Sequence, residues 1–280
     1  MIKVNKDVCI GCENCIDDCL MDNIIMEDGK AKMIREKCVD CGHCIALCPV
    51  DAINIDGYDN GEVVEYSRDK FDINGDVLLN FIKFRRSIRN YEEKEVEKEK
   101  IKKIIDAGRY SPTGSNRQHI SYTVVKEKLP ELRELTINKL KELSDAVLDG
   151  KTDNLEYDET TLKKYAKSWN HIYKEYQKGN DKLFFHGNTL IIAKGDTRIK
   201  PAPRMELGMA LSRMELTAYS LGLGGCYIGY FMSAFSQSEE IRNFLEIKDY
   251  EEIVSPLVIG YPNIKYIKTA PRKKADVKWL

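Results

Sequence analysis

The chain has 280 residues, 42% of them hydrophobic, and its 44 Lys/Arg against 45 Asp/Glu give a net charge of −1. That length favours two domains with packed cores, no apolar run approaches the ~20 residues of a membrane span, and the balanced charge argues against nucleic acid as a partner. The start, Met1-Ile2-Lys3-Val4, shows no secretory pattern, so a cytoplasmic location is expected.

Chemistry enters at the ninth residue. Eight of the nine cysteines fall in two runs, Cys9-x-x-Cys12-x-x-Cys15-x-x-x-Cys19 and Cys38-x-x-Cys41-x-x-Cys44-x-x-x-Cys48-Pro49. This is the arrangement with which bacterial ferredoxins hold [4Fe-4S] clusters, where the fourth cysteine of each run ligates the other cluster. The pattern therefore assigns Cys9, Cys12, Cys15 and Cys48 to one cluster, and Cys38, Cys41, Cys44 and Cys19 to the other. Leu20 stands where the pattern has proline, but the ligand itself is present. Zinc sites usually pair their ligands at wider separation, and disulfides call for an oxidising compartment. The apolar stretches Ile24-Ile25-Met26 and Ala52-Ile53-Asn54-Ile55 follow the two runs, so two strand–helix–strand units stacked on their clusters are expected. Residues 1–57 carry six Lys/Arg and eleven Asp/Glu, a net −5, whereas the remainder nets +4. The acidic module suits either docking to basic redox partners or simple solubility.

Residues 58–76 read as a linker, punctuated by Asn60, Gly61, Asn74 and Gly75, with Val63-Val64-Glu65-Tyr66 able to form an edge strand. A second domain, residues 77–280, opens with the helical start Val77-Leu78-Leu79-Asn80-Phe81-Ile82 and the basic turn Phe84-Arg85-Arg86-Ser87-Ile88-Arg89-Asn90-Tyr91. By itself such a turn is more often a solvated face than a phosphate site. Ile101, Ile104, Ile105 and Gly108 predict a helix, and Ser111-Pro112-Thr113-Gly114-Ser115-Asn116-Arg117-Gln118 leads into the strand Ile120–Val125. Leu207, Leu211, Met214, Ala218 and Leu221 make one helical face. Leu221-Gly222-Leu223-Gly224-Gly225-Cys226-Tyr227-Ile228-Gly229 follows it; Gly222 reads as a helix cap and the later glycines suit close backbone approach. The stretch follows a helix and not a strand, which excludes a dinucleotide fingerprint.

In this order the basic turn, the Ser-Pro-Thr-Gly-Ser-Asn-x-Gln segment, the glycine-rich stretch and the tail Gly260-Tyr261-Pro262 with Ala270-Pro271-Arg272-Lys273-Lys274 resemble the nitroreductase family of FMN enzymes. The resemblance covers roughly residues 77–280, and a ferredoxin module ahead of it looks like a subtype of that family. It implies an α+β chain: a small two-cluster ferredoxin-like domain, then a mixed sheet flanked by helices that forms an intertwined homodimer. It implies that Arg85, Ser87 and Arg272 face the FMN phosphate, for which they are suitable charge-assisted donors. It places Arg86 and Arg89 at the ribityl chain and pyrimidine edge, and Asn116 at the ring edge, usually from the partner subunit. Ile228 and Gly229 would pack the ring and present an N–H towards N5, with Tyr227 and Lys274 completing the FMN-binding set.

The remaining expectations concern structure. Strands are expected at Thr189–Ala193 and Pro256–Ile259, and Ser236-x-x-Glu239 reads as a capping box opening a helix with Ile241, Phe244 and Leu245 inward. Between Lys126 and Asp181 lies a Lys- and Tyr-rich helical segment, either a surface helix pair or a lid over the flavin, with Trp169 and Tyr173 as lid candidates. Cys226 reads as a small buried apolar residue, and the four histidines show no ligand spacing. The resulting expectation is an FMN-dependent oxidoreductase. Ferredoxin or NAD(P)H is the electron source, two [4Fe-4S] clusters carry single electrons, and the acceptor is a nitro compound, quinone, enone or flavin. Reductive dehalogenation, another reaction of the same superfamily, or a non-enzymatic carrier or redox sensor are the alternatives.

Overall fold

The computed structural model describes residues 2–34, 38–151, 157–199 and 203–280. Its Cα trace divides into two compact units, Met1–Asn74 with Thr113–Arg117, and Gly75–Pro112 with Gln118–Leu280.

The first unit repeats one motif at a spacing of 29 residues. β1 (Ile2–Val4), α1 (Asn14–Asp17) and β2 (Ile24–Glu27) are followed by β3 (Lys30–Met33), α2 (His43–Ala46) and β4 (Ile53–Ile55). β1 pairs antiparallel with β4, and β2 with β3. Backbone geometry repeats too. Positive φ recurs at Gly11 and Asp40 (69° and 50°), Glu13 and Gly42 (66° and 78°), Asp22 and Asp51 (49° and 52°), and Asp28 and Gly57 (51° and 86°). Each cysteine run must wrap one face of a small volume. The left-handed residues re-aim the chain between ligands, which is why Gly and Asp dominate those positions. After β4 come a 3-10 turn at Asn60–Glu62 and α3 (Arg68–Phe71). Val63–Tyr66 is irregular and exposed, so the expected edge strand does not form; no strand of the described residues lies beside it to accept its hydrogen bonds.

The second unit is a sheet covered on both faces. Its elements are α4 (Gly75–Phe84), α5 (Lys98–Arg109), β5 (Ile120–Val125), α6 (Leu129–Leu148), α7 (Glu159–Tyr176), β6 (Thr189–Asp196), α8 (Arg204–Ser220), β7 (Gly224–Tyr227), α9 (Gly229–Phe235), α10 (Glu239–Phe244), β8 (Glu251–Ile253) and β9 (Leu257–Gly260). The strand order is β5-β6-β9-β7 with β8 also on β6, all antiparallel, and the parallel component is the bridge between Ser87 and Gly225. Side chains of β6 and β9 alternate between two cores. Leu190, Ile192 and Val258 join α6, α7, α9 and α10, whereas Ile191, Ala193, Leu257 and Ile259 join α5 and α8. Burial on both faces explains the unbroken apolar runs that marked these strands in the sequence.

Two local devices prepare the site. α8 ends in a Schellman arrangement: Leu223 N–H donates to the Ala218 carbonyl at 3.0 Å and Gly222 N–H to Tyr219 at 3.1 Å, with Gly222 at φ 77° as expected. The chain then turns into β7, where Gly224 lies so close to Ile88 that a Cβ there would sit 2.3 Å from its Cγ1. That approach lets Ile88 N–H donate to the Gly225 carbonyl at 2.9 Å, pinning the basic turn against the glycine-rich strand. The helix after α9 is capped differently from expectation. Ser238, not Ser236, accepts from Ile241 N–H at 3.2 Å, because α9 runs on through Phe235. Ile241 and Leu245 are buried and Phe244 is partly buried.

Candidate functional site

In the first unit, Cys9, Cys12, Cys15 and Cys48 line one cavity together with Gly11, Met26, Ala31 and Ala52. Three come from one run and the fourth from the other, brought there by the antiparallel closure of β1 on β4. No three His, Cys, Asp or Glu side chains among the described residues are close enough to share a single ion; the sulfurs surround a volume. Backbone N–H groups aim at them: Ala31 at Cys9 Sγ (3.5 Å), Asn23 at Cys19 Sγ (3.4 Å) and Ala52 at Cys48 Sγ (3.2 Å). The last two are equivalent in the repeat. Such donors favour thiolate, and hydrogen bonds from Ala31 and Gly11 lower the Cys9 thiol below its ordinary value. Cys15 is raised, first by burial and then by repulsion from Cys12, Cys9 and Cys48. Cys44 is pushed up to about 11 by burial and by Cys41, Cys15 and Cys38. Sulfurs this crowded, with donors aimed at them, form a donor set suited to an iron–sulfur cubane that carries compensating positive charge.

Asn116 also belongs to the first unit. Its side-chain Nδ2 donates to the Asp40 carbonyl at 2.7 Å and to Val39 at 3.4 Å, in the turn between Cys38 and Cys41. Ser115, Asn116 and Gln118 all hold positive φ (52°, 52° and 48°), so this segment is sharply re-aimed. The amide expected at a ring edge is thus engaged by a cysteine-run turn.

In the second unit a cavity of about 300 Å³ is lined by Arg89, by the aromatic rings of Tyr157, Tyr165, Phe185 and Tyr230, and by the stretch Cys226-Tyr227-Ile228-Gly229. Its size is that of a small-molecule site. The pinned turn supplies Arg89, and the β7–α9 junction supplies backbone, with open space where a side chain on Gly229 would stand. The Cys226 thiol is raised chiefly by burial, while Arg89 and Ser87 beside it act to lower it. Cys226 is buried at 2% exposure, as expected. Arg89 makes no carboxylate ion pair among the described residues and stacks 5.8 Å from the Phe185 ring, while Arg86 lies 5.9 Å over Tyr266.

Arg85 is placed differently. Its Nη1 donates to Glu215 Oε1 of α8 at 2.6 Å, with Glu215 at 7% side-chain exposure. Burial raises the Glu215 carboxyl above its ordinary value, and Arg85 opposes the rise. Glu215 was not singled out from sequence, although a carboxylate beside Met214 within the apolar stripe of α8 is a signal that it needs a buried cation. Arg272 and Lys274 lie in the exposed C-terminal segment, apart from the residues lining the cavity.

The α6–α7 segment is a packed helix pair: Ser144 Oγ donates to the Ala166 carbonyl at 2.7 Å. Trp169 is core, at 1% exposure, and Tyr173 packs on the same core. The helix face that reaches the cavity carries Tyr165, 5.9 Å edge-on to Tyr230. The following loop is held by buried Asp181, whose Oδ1 accepts from Leu183 and Phe184 N–H (both 2.9 Å) and Oδ2 from His186 N–H (3.0 Å). Arg133 neutralises it at 2.8 Å. Those bonds hold Phe185 and His186 at φ 58° and 61°, costly for bulky residues, and fix Phe185 and Lys182 at the cavity wall.

The nitroreductase family model matches residues 82–261, and a 4Fe-4S dicluster domain model matches residues 1–49. The chain belongs to the nitroreductase family and carries an N-terminal 4Fe-4S dicluster domain. Its fold is similar to that of a nitroreductase with bound FMN from Bacteroides fragilis (TM-score 0.54, 21% identity, 74% of this chain and 100% of that one). It is also similar to a nitroreductase with bound FMN from Desulfitobacterium hafniense (0.51, 22%, 71% and 97%) and to a BluB-like flavoprotein from Clostridium difficile (0.50, 20%, 71% and 94%). No helix among the described residues is long and apolar enough to cross a membrane.

Proposed function

We propose that this protein is an iron–sulfur flavoprotein reductase that moves single electrons from an external donor, a ferredoxin or similar, to a small organic acceptor such as a nitro compound, quinone, enone or free flavin. The reading is carried by one chain that holds both a cavity walled by four cysteines from two separated runs and a tyrosine-walled cavity with Arg89 and the backbone of Cys226–Gly229. When bound, the two [4Fe-4S] clusters supply one-electron steps and FMN supplies transfer at N5 as hydride or as two single electrons. Cys9, Cys12, Cys15 and Cys48 would hold one cluster, and Cys38, Cys41, Cys44 and Cys19 the other. Ser87 and Arg89 would meet the flavin, with Arg89 as the cation beside its pyrimidine edge. Arg85 keeps donors for a phosphate beyond the one given to Glu215, since a guanidinium carries five. The rings of Phe185, Tyr165 and Tyr230 give the cavity an aromatic wall.

A homodimer fits an unusual feature of the second unit. α4 has no buried residue, yet Val77, Leu78, Leu79 and Ile82 are apolar and exposed, as are Val277, Trp279 and Leu280 of the tail. An apolar helix left bare is an association surface. Reduced thiols for cluster assembly suit the cytoplasm.

Anaerobic purification should yield about eight iron atoms and about one FMN per chain, and an acceptor panel driven by reduced ferredoxin should show repeated turnover. Consumption of acceptor limited to one stoichiometric discharge would make the protein a carrier, and turnover confined to halogenated compounds would make it a dehalogenase. Cys48→Ser is expected to remove the cluster held by Cys9, Cys12 and Cys15 while sparing the other, read as loss of one of two EPR signals and about half the iron. Loss of the signal belonging to the Cys38 run would overturn the crossed assignment.

A further inference from the structure

Beside the tyrosine-walled cavity lies a second groove of about 420 Å³, lined by Lys167, Ser168, His171, Ile172, Lys182 and Tyr230. Lys182 and Tyr230 line both spaces, so the groove continues the cavity outward. Neither lining contains a carboxylate. Lys167 and His171 stand one turn apart on α7 and face the groove together. Neither Lys167 nor Lys182 forms an ion pair among the described residues, where most other lysines of α6 and α7 that border acidic neighbours do: Lys139 with Glu142, Lys141 with Asp145, Lys163 with Glu159. On its far side Lys182 borders a space with Glu92, Glu93 and Asp181, and Asp181 is already neutralised by Arg133. Carboxylates therefore border Lys182 on that side, whereas the lining towards Lys167 and His171 contains none.

We propose that the acceptor is an aromatic compound bearing an anionic substituent, a carboxylate or sulfonate. Its ring lies against Tyr165 and Tyr230, and its anion lies in the outer groove between Lys182 and Lys167. This rests on the flavin reading of the inner cavity, where Arg89 is committed to the cofactor. Aromatic walls lower the local dielectric and strengthen the field of the two lysines, while the loop held by Asp181 fixes Lys182 in place. Rings alone would accept any planar acceptor; the lysines convert that into a charge preference.

The test uses the full-length protein as purified, oxidised and without electron donor. Binding of 4-nitrobenzoate and of the neutral 4-nitrobenzamide is followed by the perturbation of the flavin absorbance. The anion should bind about fivefold or more tightly than the amide at low ionic strength, and the ratio should shrink as salt is raised. Lys182→Gln should bring the ratio near unity, and Lys167→Gln should lower it in part. In turnover the same change should appear as a raised KM for the nitrobenzoate and not as a lowered kcat. Equal affinities in the unaltered protein would overturn the proposal, as would a ratio unaffected by Lys182→Gln. So would a Lys182-dependent site that takes NADH and ignores nitrobenzoate. FMN content is measured on each sample: protein without flavin defeats the functional reading, whereas flavin-loaded protein with no anion preference defeats this inference alone.

Discussion

Removing iron with a chelator is expected to unfold the cluster module completely while the second unit stays folded. The buried core of the module consists of Ile2, Cys9, Cys15, Ile24, Ala31, Cys44, Ala52, Ile53 and Ile55. Three of the nine are cysteines, and two are alanines that bury little area. Its sheets are two-stranded and its helices a single turn, elements that are marginal alone. Metal–thiolate bonds supply what so small a core lacks. The fold gathers Cys44 with Cys41, Cys15 and Cys38, and thiolates held this close repel one another unless a metal binds them. Hydrogen exchange decides the matter. Amides of Ile24 and Ile53 should lose all protection with the visible absorbance of the clusters, while those of β6 and α8 keep theirs. Protected Ile24 and Ile53 in iron-free protein would show that the peptide alone carries the fold.

Arg85→Ala should cost about 3 kcal/mol at neutral pH, the lower end for orphaning one member of a buried ion pair, because it leaves Glu215 charged at 7% exposure. The loss depends on pH with a definite sign. The folded-state carboxyl of Glu215 is already raised by burial, so its favourable contribution is present below the unfolded value and is lost as pH rises through the folded one. Taking away the guanidinium raises it further. The deficit of Arg85→Ala should therefore be smaller in acid and grow as pH rises through the folded-state carboxyl's raised range. Urea unfolding followed by the fluorescence of Trp169, buried in the same unit, measures it. Adding Glu215→Gln to the variant should recover stability to within about 1 kcal/mol and abolish the pH dependence. FMN binding should be lost in both the single and the double variant, because Arg85 is expected at the phosphate. Recovered flavin would reduce Arg85 to a counter-ion for Glu215.

The sequence by itself determined the chemistry of the first unit and the elements of the second. Cysteine spacing is a local signal, and so are the apolar runs of β6 and β9 and the helical stripes of α5 and α8, since each element's burial is written in its own periodicity. The 29-residue repeat likewise lies in the chain as printed, down to the Gly and Asp positions that take positive φ. Tertiary structure alone decided which charges are free. Arg85 and Arg89 sit four residues apart in one basic turn, yet the first is claimed by Glu215, 130 positions away, and the second faces the cavity. The segment of Asn116 says nothing of the turn 76 positions earlier, whose Asp40 carbonyl accepts from its amide. Trp169 and Tyr165 lie on one helix four residues apart; the first fills the core and the second lines the site. Lys182 carries no motif at all. Pairing and exposure depend on what packs opposite a side chain, and that partner is named by the fold and not by the neighbouring letters.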